Sequence, residues 1–145
     1  RKIGMLLTDG SDVAQVKAIV DAAQAEGAMV QFIGPIAGSV VLSDGTELDL
    51  DEMVEGAPSA VFDAVAILPS DDQAEMLARM AAARDFAATT WAHYKFAAFN
   101  EAARVLFAKA GLPQELDEGF IPASDAKGFI AACRDLRFWG RKNAA

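Results

Sequence analysis

The run Trp91-Ala-His-Tyr-Lys-Phe-Ala-Ala-Phe-Asn-Glu-Ala-Ala-Arg104 has the layout of a strand-to-helix active-site turn. Lys95 leads into Phe96–Phe99, apolar and short enough for a buried parallel strand, and helix formers follow from Glu101 to Ala108. Such a turn sits at the carboxyl edge of a sheet. Many α/β enzymes hold a reactive Cys or Ser there, because the next helix stabilises negative charge at its N-terminus. The residue on this turn is Asn100. A neighbouring base cannot turn an amide into a nucleophile. The position has the layout of catalysis, and the residue does not supply it. Asn100 suits a helix cap, its oxygen accepting a free backbone N–H; a residual ligand pocket is the alternative.

The other reactive side chains are sparse. Cys133 is the single cysteine, so no intrachain disulfide is possible, and its setting among Ala131, Ala132 and a helical pattern points to a buried structural thiol. Arg134 and Arg137 offer charge that would be needed to activate it. His93, the only histidine, rules out a multi-histidine metal site and reads as a surface or interface residue beside Tyr94. Asp44, Glu47, Asp49, Asp51, Glu52 and Glu55 lack EF-hand spacing and read as a solvated hairpin edge. Asp9, Asp12, Asp71 and Asp72 follow strands, where α/β proteins bind ligands, which makes a weak cation or small polar ligand the functional alternative there. Gly34-Pro-Ile-Ala-Gly38 has the wrong spacing for a phosphate loop. Near the C-terminus, Arg134, Arg137, Trp139 and Arg141 combine cations with an aromatic, a pattern suited to an interdomain contact or to a helix end stabilised by positive charge.

The elements that must position these residues alternate. Ile3–Leu7 predicts a first strand, with Ser11 or Asp12 capping a helix whose apolar face is Val13, Val16, Ile19, Val20 and Ala23, stopped by Gly27. Val30–Ile33 is a second strand. Val40–Leu48 carries an Asp44-Gly45 hairpin signal with a two-residue turn. Ala64–Leu68 is a strand ended by Pro69, and Ser70, Asp71 or Asp72 would cap a helix bearing Met76, Leu77, Met80 and Ala83. A further helical stretch reaches Tyr94. The helix after Asn100 ends at Gly111 and Pro113, Gly119–Ile121 is a weak strand, and Asp125–Leu136 is a last helix with Phe129, Ile130, Cys133 and Leu136 or Arg137 at core spacing. Strands alternating with helices predict an α/β fold: a mainly parallel sheet, covered on both faces, with a small hairpin excursion.

Composition narrows the classes. The chain of 145 residues fits one domain, 1–145, and its 53% hydrophobic content supplies a core. The net charge of −8 argues against nucleic acid. No apolar run approaches the roughly 18–20 residues that cross a bilayer, and no secretory signal opens the chain, so a reducing cytoplasm is the expected setting. The first residue is Arg1 rather than methionine, which fits processing or a domain cut from a longer polypeptide.

These elements resemble the class I glutamine-amidotransferase-like superfamily, in its PfpI-type peptidase and chaperone branch. The resemblance implies a flavodoxin-like three-layer sandwich, with a Cys on the strand-to-helix turn and a supporting Glu after the first strand. Lys95-Phe-Ala-Ala-Phe-Asn-Glu-Ala places Asn100 at the Cys position, and Leu6-Leu7-Thr8-Asp9-Gly10 places Gln15 at the Glu position. Ala66-Ile67-Leu68-Pro69-Ser70 departs from a pattern that continues Pro-Gly-Gly. Gln15, a neutral amide, cannot take a proton from a thiol. It either meets Asn100 across the former pocket or is a partly exposed helix residue.

Trp91-Ala-His-Tyr-Lys95 and the ending Cys133-Arg-Asp-Leu-Arg-Phe-Trp-Gly-Arg141 resemble, more narrowly, the C-terminal domain of large-subunit haem catalases. That resemblance implies a domain without catalytic residues or cofactor of its own. It would be joined to a catalase core that holds haem and decomposes hydrogen peroxide to water and oxygen, and would support stability and a homotetramer. Two further functions follow from the superfamily: a holdase-type chaperone for unfolded clients, presenting Met76, Met80, Ala81 and Ala82, and a residual thiol hydrolase or repair enzyme using Cys133.

Overall fold

The computed structural model describes residues 1–144. Six parallel strands form the central sheet: β1 (Lys2–Leu7), β2 (Met29–Gly34), β5 (Glu52–Met53), β6 (Ala64–Leu68), β7 (Ala97–Phe99) and β8 (Phe120–Pro122), in the order β5-β2-β1-β6-β7-β8. Strands β3 (Ser39–Val41) and β4 (Glu47–Asp49) make a separate antiparallel hairpin. The helices are α1 (Val13–Ala25), α2 (Ala74–Ala78), α3 (Ala81–Ala92), α4 (Ala103–Lys109) and α5 (Ala126–Ala132).

Period-two alternation divides the core between the two faces. Ile3, Met5, Leu7, Ala64, Ala66, Leu68, Phe96 and Ala98 pack with α1, α5 and the hairpin. Leu6, Val65, Ile67, Ala97 and Phe99 turn the other way, towards α2, α3 and α4. Ile3–Leu7 of β1, and all of β6 and β7, are therefore apolar, as a sheet covered on both sides requires. The small side chains of β6 and β7 leave room that aromatics fill: Phe120 meets Trp91, Phe99 and Phe107 with centroids 5.3, 6.3 and 5.4 Å apart.

Local chemistry sets the ends of α1. Asp12 Oδ1 accepts from Gln15 N, and Ser43 Oγ, from the hairpin, accepts from Val13 N. At the other end Gly27 adopts φ 73°; its N–H reaches Gln24 O while Ala28 N–H reaches Ala23 O. That pairing closes the helix as a Schellman motif, with Ala28 packed beside the buried Ala23.

Several sequence expectations are corrected. The hairpin turn is longer than two residues: Ser43-Asp44-Gly45 forms the loop, closed by Gly45 N–H to Leu42 O and Leu42 N–H to Thr46 O, and only Gly45 has positive φ. Asp44 Oδ1 braces it by accepting from Thr46 N, and hydrogen bonding from the Thr46 side chain and then its N–H holds the Asp44 carboxyl below its ordinary range. The helix expected through Met76 and Ala83 is broken at Met80, which is extended at φ −86°, ψ 121°, so α2 and α3 can pack separately on α4. Ser70 makes no cap and ties instead to Thr8 and Asp9, just after β1. The last helix tightens into a turn at Cys133–Asp135, and Leu136 lies 45% exposed, outside the core. Strand β5 is too short to leave a periodic signal.

Candidate functional site

The strand order switches direction between β1 and β6, where an α/β sheet opens a crevice at its carboxyl edge. A cleft of about 460 Å³ lies there, lined by Gly10 and Asp12 after β1, Gln15 on α1, Pro69 to Asp72 after β6, and Asn100 to Ala102 after β7. Its floor is a hydrogen-bonded lattice. Ser11 Oγ donates to Leu68 O at 2.6 Å and accepts from Thr8 N at 2.9 Å. Ser70 Oγ donates to Asp9 O at 2.7 Å, and Ser70 N donates to Thr8 Oγ1 at 3.0 Å. Asp9 does not line this cleft: its Oδ1 receives Val41 N–H, tying the hairpin to the turn after β1.

Asn100 stands on the strand-to-helix turn with both ends of its amide engaged. Oδ1 accepts from Ala103 N at 3.0 Å, capping α4, and Nδ2 donates to Pro69 O at 2.8 Å, joining the β6 and β7 exits. Gln15 lines the same cleft. No hydrogen bond joins the two amides among the described residues, and Gln15 Oε1 has no protein partner. Asn100 thus supplies a cap and a strand tie, and the carboxylates of Asp12, Asp71, Asp72 and Glu101 line the cleft around it. Asn100→Ala is expected to cost about 1 kcal/mol through the lost cap, and more if Pro69 O is left without a donor. Urea unfolding measures it; an unchanged midpoint would remove the capping role.

The remaining candidates are dispersed. Cys133 is 3% exposed, among α1 and α5 residues rather than in the cleft, and burial pushes its thiol up to about 12. The folded state keeps a proton that an unfolded thiol releases near 8.5, so this group's stability contribution is lost as pH rises from there towards about 12. Iodoacetamide at neutral pH is expected to label Cys133 only after denaturation, and Cys133→Ala should remove its part of the alkaline fall. His93 is exposed at the end of α3. Asp51 Oδ2 accepts from Phe32 N at 2.8 Å, so this member of the acidic cluster fastens the edge of β2. No group of three or more His, Cys, Asp or Glu among the described residues is arranged to hold a metal ion.

The four residues expected at an interdomain contact separate. Arg141 is a correction: it is 6% exposed and turned inward. Its Nε meets Asp117 Oδ2 at 2.5 Å, its Nη atoms reach Trp91 O at 2.9 Å and Lys95 O at 3.1 Å, and its plane lies 4.3 Å from the Trp91 ring. Arg134 pairs with Glu26 at the surface, which lowers the Glu26 carboxyl by hydrogen bonding. Trp139 is 60% exposed, and Arg137 Nη1 donates to Leu136 O.

Lys95 was missed as an interior group. It is 1% exposed, donates from Nζ to Ser59 O at 2.6 Å, and burial moves its ammonium below the ordinary lysine range, with Arg137 acting in the same direction. A lysine directly before a wholly apolar strand was the available signal. Nothing in the sequence marks Ser59 as its partner, because the two are 36 positions apart.

Comparison with known proteins places this geometry. No family model matches the chain. Catalase C of Rhizobium meliloti (strain 1021) is 39% identical over 98% of the chain, and Catalase HPII of Pseudomonas putida is 29% identical over 100%. The chain spans only about a fifth of either protein, 21% and 20%. A solved DJ-1 superfamily protein of Salmonella typhimurium superposes with a TM-score of 0.77 over 100% of this chain and 96% of that one, at 19% identity. The likeness expected to the C-terminal domain of large-subunit catalases is borne out, and so is the PfpI-like, flavodoxin-like fold.

Proposed function

We propose that this chain, alike along its whole length to a segment of the large-subunit catalases, is a non-catalytic accessory domain of such an enzyme. In this reading it is joined to a catalase core in the same polypeptide and supports the stability and assembly of a homotetramer. The core would decompose hydrogen peroxide to water and oxygen. The observation that carries the reading is the whole-length match to a minor part of Catalase C. The site supports it: Asn100 has both amide ends occupied inside the fold, and the one thiol is buried elsewhere.

Haem belongs, in this proposal, to the remaining part of the polypeptide. Haem iron takes an axial His, Cys or Tyr facing the porphyrin. Here His93 is exposed on a helix end, Cys133 lies inside the core, and the Tyr94 ring rests 5.4 Å from Trp139. These residues do not fit the group. No helix among the described residues is long and apolar enough to cross a membrane.

Deleting the domain from the full-length polypeptide tests the role. The truncated enzyme is expected to melt earlier and to dissociate at lower denaturant, while peroxide turnover per haem is retained. Unchanged melting and assembly would refute it.

The holdase reading has one observation in its favour: Ile36, 67% exposed, borders a groove of about 210 Å³ with Met76 and Met80. Methionine-lined surfaces adapt to varied partners. Suppression of aggregation of a heated client would support it, and none at molar excess would end it. The thiol-enzyme reading has no such support, since Cys133 is buried and burial raises its thiol by more than the charge of Arg1 lowers it.

A further inference from the structure

At the amino edge of the sheet, opposite the cleft, the segment after α5 doubles back over the end of α3. Phe138 N–H donates to Tyr94 O at 2.6 Å, and the Phe138 ring packs 5.9 Å from Phe96. Above this anchor Trp139 and Leu136 stand 60% and 45% exposed, with Trp139 against Tyr94.

Two features set this ledge apart from scattered surface apolar residues. Among the described residues, Tyr94 at φ 61° and Leu136 at φ 65° are the only non-glycine positions with positive φ, and both lie here. Leu136 occupies a γ-turn closed by Arg137 N–H to Asp135 O at 2.7 Å, a strained conformation for a bulky residue. The side chain on this strained turn is apolar and stands 45% exposed to solvent. The second feature is charge. In a chain of net charge −8, Arg137 and Lys142 flank the exposed tryptophan.

Position adds a third argument. Glu26 pairs with both Arg1 and Arg134, so the first residue is held at the same amino edge of the sheet, by the residue two positions before Leu136. A polypeptide continuing before Arg1 would emerge at this face, at high effective concentration.

We infer that the ledge of Tyr94, Leu136 and Trp139, rimmed by Arg137 and Lys142, is where the remaining part of the same polypeptide seats, through an acidic surface with an apolar hollow. The inference rests on the accessory-domain reading and names its contact face. It gives the interface a rigid aromatic anchor with a basic rim, the composition that concentrates binding energy.

The test uses the full-length polypeptide carrying Lys142→Cys, labelled with a maleimide–benzophenone and irradiated. Cross-links to an acidic segment outside residues 1–145 are expected. Cross-links to a second copy of residues 1–145, or none, would overturn the inference. In parallel, Trp139→Ala and Arg137→Glu in the full-length polypeptide are expected to speed proteolytic release of the domain by about tenfold or more, as loss of a contact anchor does. Release at the wild-type rate would also overturn it. If domain deletion destabilises the parent while these variants do not, the accessory role stands and the ledge does not; if deletion changes nothing, the accessory role itself falls.

Discussion

Arg141→Ala is expected to lower the unfolding free energy by about 3–5 kcal/mol, the cost of breaking a buried ion pair by removing one partner. Asp117, itself mostly buried, would lose both bonds to the guanidinium, at 2.5 and 3.1 Å. The carbonyls of Trp91 and Lys95 would lose a donor, and Trp91, Phe120 and Phe138 would lose a stacked cation at 4.3, 5.1 and 5.9 Å. Arg141→Lys should recover little, because an ammonium cannot reach a carboxylate and several carbonyls from one plane. Urea denaturation measures each variant. Asp117→Ala combined with Arg141→Ala should cost clearly less than the sum of the single changes, since the two act as a unit. Strict additivity, or a loss below about 1 kcal/mol, would mean the clamp is incidental.

Gly4→Ala is expected to cost about 1–3 kcal/mol by overpacking. A Cβ at Gly4 would lie 2.6 Å from Phe62 Cδ2 and 2.8 Å from its Cγ, closer than carbon atoms approach. Neither partner can move aside cheaply. Gly4 sits in the sheet's centre, paired in register with Gln31 and Val65, and Phe62 is 2% exposed with its ring against Phe86. Phe62→Leu should relieve the clash, so the double variant is expected to be more stable than the two separate costs predict. A Gly4→Ala chain melting with the wild type would show that the Phe62 ring rotates away freely.

Most of the framework was legible. Ile3–Leu7 and Ala64–Leu68 read as strands because both faces of the sheet are covered, which leaves apolar residues at every position. The Asp12 cap and the Gly27 stop were legible because capping is local, decided within a few residues. The break at Met80 was not: Met76, Leu77, Met80 and Ala83 keep helical spacing across it, and only packing of two short helices against α4 divides them. The candidate site was legible as a position. Asn100 could be assigned to the turn from the apolar run before it, and an amide's chemistry is the same in any fold.

Arg141 marks the boundary. From the sequence it was one of four residues in a basic, aromatic tail, indistinguishable from Arg134 and Arg137. The fold alone brings Asp117 and the carbonyls at and just after the end of α3 around it, from positions 24 to 51 residues away. The same distance in sequence hid Ser59 from Lys95 and the hairpin's Ser43 from the first turn of α1. The sequence by itself determined most of the strands, the Asp12 cap and the amide on the strand-to-helix turn, because each depends on neighbours or on the residue's own chemistry. Which cation lies buried, which aromatic stays exposed and which turn is strained were decided by tertiary structure, because burial and pairing are properties of segments that meet only when the chain folds.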